Sequence, residues 1–322
     1  MSGALLGAAG CSSDSPSALR PKGPVAGRIS ALSWFMFGLS GLITLVVFGL
    51  MVRGLFSDGE GHRFRMSETR WIALGGVAMP AVVLLALSGL TVTSLHETDG
   101  PEPGSYPVEV IGHQYWWEVR YPQARGGPVT AANEIHIPAG RNVRFTLRSV
   151  DVIHSLWVPE LGGKTDLVPG RTNHLTLKAD HPGTFRGQCA EYCGLQHANM
   201  AFLVIAETPG DFQRWLSEQA APAADPGAAA GPAAAGRRDL EQLPCAGCHT
   251  VRGTAAAGKV GPDLTHFGSR RTLAALTQPN TPPNVSRWIA DAQAVKPGAR
   301  MPPIALTDTQ VSELVAYLRA LR

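Results

Sequence analysis

Charge of one sign is what this sequence most plainly lacks: 28 lysines and arginines stand against 25 aspartates and glutamates in 322 residues, a formal net charge of +3. Nucleic-acid binding, which needs a basic face to neutralise phosphates, has no electrostatic support in that balance. Cysteine is sparse too. Its five copies, Cys11, Cys189, Cys193, Cys245 and Cys248, fall in three short motifs, leaving none for a general disulfide framework. Aromatic and β-branched residues are missing from 220–236, a stretch of Ala, Pro and Gly with a single Asp. Nothing there can build a core, so it reads as a linker of intermediate stiffness. Charge of either sign is missing from 29–52 and from 71–95.

Each of those two runs is long enough to cross a hydrocarbon layer of about 30 Å, and two such uninterrupted runs argue against buried core helices. Pro80 and several glycines in the second are of the kind membrane helices tolerate. Trp34 and Trp71 lie near span ends, where aromatic anchors are expected. The connector carries Arg53, Arg63, Arg65 and Arg70, which places it in the cytoplasm and both termini outside. Arg20, Lys22 and Arg28 on the opposite flank keep the asymmetry modest. Glu68, in M-S-E-T-R-W at the edge of the second span, reads either as an interfacial charge beside Arg65 or Arg70 or as a functional group. Near the start, A-A-G-C-S-S looks like a lipoprotein processing site with Cys11 acylated, although no basic region precedes it; an unmodified Cys11 is the alternative. The expected organisation is an N-terminal segment (1–28), a transmembrane helical hairpin (29–95), a β domain (96–219), the linker (220–236) and a separate module (237–322).

From 106 to 208 short runs rich in Val, Ile and aromatics alternate apolar with polar residues between Gly and Pro turns, the pattern of an antiparallel sandwich. Pro209 then opens a helix with Phe212, Trp215 and Leu216 on one face. Inside the β region, C-A-E-Y-C-G-L-Q-H-A-N-M (189–200) places four potential metal ligands in one loop: Cys189, Cys193, His197 and Met200. Thiolate, imidazole and a weak thioether are the donors of a copper electron-transfer site. Two thiolates could bridge a pair of ions, and D-V-I-H-S-L-W-V-P supplies a second imidazole, His154. The alternatives are a disulfide, which leaves His197 and Met200 unexplained, and zinc, which has no use for Met.

In the last module, C-A-G-C-H at 245–249 is the pattern of covalent c-type haem attachment. Cys245 and Cys248 would reach the two vinyl groups, and His249 would lie under the iron. Met301, in K-P-G-A-R-M-P-P, is the candidate distal ligand, with His266 as runner-up. Thr307 and Gln310 have the spacing of a capping box, and Val311, Leu314, Val315 and Leu318 form an apolar helical stripe behind it. Haem attachment of this kind occurs outside the cytoplasm, in agreement with the charge argument.

With G-H-Q-Y-W-W at 112–117, D-V-I-H-S at 151–155, K-T-D-L-V-P-G-R at 164–171 and the 189–200 loop, the chain resembles subunit II of the haem–copper cytochrome c oxidases. G-P-D-L-T-H-F-G-S-R and the closing helix also resemble class I cytochrome c domains, which makes the chain similar to the cytochrome-c-fused variety. The resemblance implies a two-helix transmembrane hairpin, an all-β cupredoxin-like Greek-key sandwich and an all-α class I cytochrome c domain. It implies that Cys189 and Cys193 bridge a binuclear copper A centre, that His154 and His197 terminate it and that Met200 is a weak ligand. Glu191 would give its carbonyl to copper, and its carboxylate would reach a magnesium ion at the junction with subunit I. Cys245, Cys248, His249 and Met301 would hold haem c.

The implied function is that of the electron-inlet subunit of a proton-pumping oxidase in the bacterial plasma membrane. Electrons would pass from a cytochrome c donor through the chain's own haem to the copper pair and on to subunit I, where oxygen is reduced to water. Subunit III is a further expected partner. The resemblance also sets Glu68 at the cytoplasmic mouth of a proton channel, and it sets Tyr115, Trp116 and Trp117 where electrons enter. The family carries Trp at the first of these aromatic positions; Tyr115 stands here, and the expectation is that the fused domain has relaxed the requirement, with aromatic core packing as the alternative. The rival in fold is a quinol-oxidase subunit II, which has lost the copper ligands. The rival in class is a membrane-anchored electron carrier or copper-delivery protein without an oxidase partner.

Overall fold

The computed structural model of the chain describes residues 16–56, 67–96, 103–124, 126–223 and 230–322; Cys11, Arg63 and Arg65 lie outside the described residues. Helix α1 (Pro24–Leu55) begins with proline at its first position, where a missing N–H costs no hydrogen bond. Helix α2 (Glu68–Ile72) passes through a π-type stretch at Ala73–Ala78 into α3 (Met79–His96). Pro80 has no N–H for the carbonyl four residues back, and the wider turn falls immediately before it. The apolar windows of both spans are wholly unburied within the chain, so they are not core helices. Leu45, Phe48 and Leu85 lie bare on them, as suits lipid or a partner's helices.

The start of α1 docks on the β domain. Lys22 N–H donates to the Glu160 carbonyl at 2.7 Å and the Lys22 carbonyl accepts from Asp180 N–H at 3.0 Å. The membrane helix therefore starts on the side where the sandwich sits.

That sandwich has ten strands: β1 (Tyr106–His113), β2 (Trp116–Tyr121), β3 (Val129–Ala132), β4 (Glu134–Pro138), β5 (Val143–Ser149), β6 (His154–Trp157), β7 (Thr165–Leu167), β8 (Asn173–Leu177), β9 (Gly183–Cys189) and β10 (Ala201–Glu207). They form two five-stranded sheets, ordered β3-β2-β1-β5-β8 and β4-β10-β9-β6-β7. The all-antiparallel expectation needs correction, because β1 pairs with β5 and β4 with β10 in parallel. The chain crosses between sheets after β3, β4, β5, β7 and β8, so neighbours within a sheet are not always consecutive. Asn133 turns the first of these corners at φ 62°, a conformation asparagine tolerates. Its Oδ1 accepts from Trp117 N–H at 2.9 Å, tying the corner to β2. Alternation then fills the core: Val143, Phe145 and Leu147 of β5 point in, opposite Leu156, Phe185, Phe202 and Val204 of the other sheet. Helix α4 (Pro209–Ala220) closes one end by burying Phe212 and Leu216.

The last module is helical: α5 (Pro232–Gln242), α6 (Cys245–Cys248), α7 (Pro282–Ala290), α8 (Ala292–Val295) and α9 (Asp308–Ala320). The linker boundary at 236 falls inside α5, whose Ala234, Gly236 and Leu240 are buried. Small residues that cannot build a core alone are what lets α5 pack closely on α9. The capping box of Thr307 and Gln310 is formed, and Val311, Leu314 and Leu318 are buried behind it together with Tyr317.

Candidate functional site

The 189–200 loop joins β9 to β10, and the sheet pairing of those strands brings its two ends together. Cys189 ends β9, Cys193 follows in the loop, a 3-10 turn carries His197, and Met200 precedes β10. His154 opens β6, the neighbour of β9 in the same sheet. The two sulfurs are 3.8 Å apart; both cysteines are free and buried, and the disulfide reading, which needs about 2.05 Å, does not apply. His154 Nδ1 lies 3.8 Å from Cys189 Sγ and His197 Nδ1 lies 3.7 Å from Cys193 Sγ. Met200 Sδ is 3.8 Å from Cys193 Sγ, and the Glu191 carbonyl is 3.2 Å from Cys189 Sγ. The sequence-predicted donors are thus gathered around one pair of sulfurs, with His154, Cys189 and Cys193 all buried. Soft sulfur and imidazole donors in this set fit copper. The Glu191 carboxylate is half-exposed and lies 3.8 Å from Lys164 Nζ.

The two thiols share a hydrogen bond and behave as one titrating unit. That bond draws the Cys189 thiol down, against burial and with help from His154. The same bond, with burial, pushes the Cys193 thiol up. Metal binding would displace the remaining proton. The ring of His154 is set by Asp151, whose Oδ1 accepts from Nε2 at 2.9 Å, leaving Nδ1 to face the sulfurs. Asp151 would be raised by burial, but the bonds from His154 and from the N–H groups of Gln114 and Val152 hold it at about 2.

Two further residues shape the site and were not singled out by sequence. Gly112 of β1 lies under His154: a Cβ there would come 2.7 Å from ring Cδ2. Gly112→Ala is therefore expected to displace the ring and lower copper affinity by about ten- to a hundredfold, measured by copper titration of the metal-free chain; unchanged affinity would remove Gly112 from the site. Gln114 donates from Nε2 to the Cys193 carbonyl at 2.7 Å, tying the β1–β2 hairpin to the loop. Only its place in the G-H-Q segment hinted at this.

The three aromatics following Gln114 have separate places. Tyr115 leans on the loop, where its hydroxyl accepts from Leu195 N–H at 3.1 Å. Trp116 stacks on His113 with centroids 4.2 Å apart. Trp117 is fully buried against His154 and Phe202.

In the helical module Cys245 and Cys248 occupy one turn, and His249 follows it. His249 Nδ1 donates to the Pro262 carbonyl at 2.8 Å, which leaves Nε2 as the ligand nitrogen. Burial lowers its pKa, opposed by that bond, which favours the neutral imidazole that a metal needs. Gly261 gives the ring room: a Cβ there would lie 2.5 Å from Cε1. These residues fit a covalently held haem. His266 Nε2 is instead engaged by the Ala221 carbonyl at 3.0 Å, which removes the runner-up ligand. Met301 is half-buried in the loop before α9, and Gln293 Nε2 fixes its carbonyl at 2.9 Å. Glu68 is exposed at the first position of α2.

Two apolar helices long enough to span a membrane, a cupredoxin-like sandwich and a helical domain carrying C-A-G-C-H, all on one chain, define a membrane-anchored multidomain protein. The family described as cytochrome c oxidase subunit II, periplasmic domain, matches residues 127–207, and the cytochrome c family matches 233–322. Cytochrome c oxidase subunit 2 of Alkalihalophilus pseudofirmus is 36% identical over 320 residues, covering 95% of this chain and 90% of that one. The subunit of the same name from Bacillus subtilis is 29% identical over 341 residues, covering 97% and 94%. Among solved structures, the periplasmic domain of subunit II of cytochrome oxidase (CoxB) of Bradyrhizobium japonicum is 28% identical, with a TM-score of 0.35, over 37% of this chain and 95% of that one. The chain belongs to the cytochrome c oxidase subunit II family, and carries the additional cytochrome c domain. As subunit II of a haem–copper oxidase it works with subunit I, and the reading as a carrier or copper-delivery protein without an oxidase is set aside.

Proposed function

We propose that the chain is the electron inlet of its oxidase. In this reading Cys189, Cys193, His154, His197, Met200 and the Glu191 carbonyl would hold a binuclear copper A centre, while Cys245, Cys248, His249 and Met301 would hold haem c. When bound, the two groups supply one-electron chemistry between a cytochrome c donor and subunit I. The observation that carries the proposal is the pair of sulfurs 3.8 Å apart, each with its own imidazole nitrogen at 3.7–3.8 Å. One thiolate suffices for a single blue-copper ion; two, each with a terminal imidazole, suit a shared pair.

The protein's own part is to hold donors still and keep water away. Asp151 fixes the tautomer of His154, Trp117 walls off its ring, and Gln114 fixes the backbone at Cys193. Pro262 does for His249 what Asp151 does for His154. A preorganised ligand set changes little between oxidation states, which favours fast electron transfer. The electron paramagnetic resonance spectrum of the oxidised, copper-loaded oxidase tests the reading. Hyperfine structure from two equivalent copper nuclei is the expected result, and a single-copper pattern would overturn it.

The wider assignments belong to the same proposal: a proton-pumping complex in the bacterial plasma membrane with subunit III alongside, the soluble domains outside, a lipid anchor at Cys11 and a magnesium ion at Glu191. For Glu68, whose side chain is exposed at the edge of the second span, the proposed role is proton uptake toward subunit I. Glu68→Gln is then expected to slow oxidase turnover, read by oxygen consumption, and unchanged turnover would make it a surface charge.

A further inference from the structure

Lys296 has no part in holding either redox group, yet it is among the most deeply buried side chains in the molecule, 1% exposed. Its Nζ donates to three backbone carbonyls, Tyr115 at 3.0 Å, Asn199 at 2.8 Å and Ala274 at 2.8 Å. An ammonium has three N–H donors and no acceptor, so three converging carbonyls satisfy it completely. Two of those carbonyls belong to the sandwich, one in the β1–β2 hairpin and one in the turn between His197 and Met200. The third belongs to the cytochrome c domain. The carbonyls satisfy its donors without supplying a counter-charge, and burial draws its pKa down to about 7; a buried lysine with all three donors engaged is nonetheless a specific contact and not incidental surface packing.

The residues after Lys296 continue the seam. Gln196 Nε2 donates to the Pro297 carbonyl at 2.8 Å, and Arg300 reaches Gln114 Oε1 at 3.2 Å and Asp151 Oδ2 at 3.4 Å. The turn that offers the third carbonyl is itself unusual. Ala274, Ala275 and Leu276 all have left-handed backbones, with φ of 55°, 57° and 65°. Such a run of non-glycine residues persists only where its surroundings hold it. Here the Ala274 carbonyl takes Lys296, and the Ala275 carbonyl accepts from Ala201 N–H, next to Met200, at 3.3 Å. A strained turn in one domain is thus held by the docked state of the two.

We infer that Lys296 is a positioning residue: its ammonium latches the cytochrome c domain onto the 114–115 hairpin and the 196–200 turn of the copper-type domain. The fused carrier is then held docked at one place instead of exploring the volume its linker would allow. The inference rests on the electron-inlet reading for its purpose, though not for its geometry. The latch itself makes and breaks no covalent bond: Lys296 would only hold the two domains together, and the bound haem and copper would supply the electron donor and acceptor.

The test uses the full-length chain in the assembled oxidase, with a protease site substituted into linker residues 224–229, as wild type and as Lys296→Met. After cleavage and dilution, the covalent haem absorbance that stays with the membrane complex on gel filtration reports docking. The wild-type domain is expected to stay, and the Lys296→Met domain to dissociate about tenfold or more readily, because three buried carbonyls lose their donor. In the uncleaved oxidases, flash-initiated haem-to-copper transfer should slow by a similar factor while both absorption spectra are unchanged. Release of the wild-type domain, or equal retention of both, overturns the latch, and if Lys296→Met does not assemble, the cleaved wild type together with Lys296→Arg decides. Lysine-dependent retention without haem-to-copper transfer in the wild type would leave the latch standing and remove the electron-inlet reading.

Discussion

Cys193→Ser is expected to abolish paired copper and to reduce cytochrome-c-driven oxygen consumption to background, with the covalent haem spectrum unchanged. Cys193 Sγ is the common neighbour of the cluster: Cys189 Sγ at 3.8 Å, His197 Nδ1 at 3.7 Å and Met200 Sδ at 3.8 Å. A serine hydroxyl has nearly the same size, so the fold of the loop should survive. It is neither a soft donor nor ionised near neutral pH, so it cannot bridge copper ions as a thiolate does. Copper content by elemental analysis, together with the paramagnetic resonance spectrum, checks the result. At most one copper per chain, without the two-nucleus pattern, is expected. Retention of two spin-coupled coppers would show that Cys193 is not a bridge and would break the ligand assignment.

Trp117→Ala is expected to destabilise the β domain by about 3–5 kcal/mol, the range for removing a large buried aromatic. Trp117 is fully buried, with its ring centroid 5.2 Å from Phe202 and 5.9 Å from His154 in edge-on geometry. Truncation would open a cavity between the two sheets and remove the wall behind a ligand ring. Weakened copper uptake should accompany the lost stability. Trp117→Phe gives the contrast. The indole Nε1 has no hydrogen-bond partner among the described residues, so phenylalanine keeps most of the packing and should cost much less. Guanidinium unfolding of the three proteins, followed by intrinsic fluorescence and far-ultraviolet circular dichroism, measures both differences. A loss below about 1 kcal/mol for the alanine variant would show that the core refills the site and that Trp117 does not support His154.

Trp117 also shows how far sequence reasoning reached. G-H-Q-Y-W-W marked three aromatics together, but nothing in the string separates Tyr115 on the loop, Trp116 stacked on His113 and Trp117 in the core. Strand alternation explains the difference afterwards, since Trp116 and Trp117 are neighbours in β2 and must face opposite sides of the sheet. The linker shows the opposite error. Composition alone extended it to 236, whereas its last residues form α5 because α9 offers a surface on which small residues pack closely. Proline at the first position and Ala, Arg, Leu, Glu and Gln behind it favour a helix, and packing on α9 supplies what Gly236 withholds.

By itself the sequence determined the two long apolar helices, the gathering of candidate donors in the 189–200 loop with His154, and the C-A-G-C-H turn at 245–249. Each of these is local: an uninterrupted apolar run, or donors at fixed spacing within a few residues, with His154 alone found by its motif. The tertiary structure alone decided which strands pair in parallel, that Asp151 and Gly112 set the ring of His154, and that Lys296 fastens one domain to the other. Gly112 approaches His154 across a sheet-to-sheet gap, and Lys296 meets Tyr115 across 181 positions of chain. Such contacts follow from how separate elements pack, and no periodicity or spacing in the sequence records them.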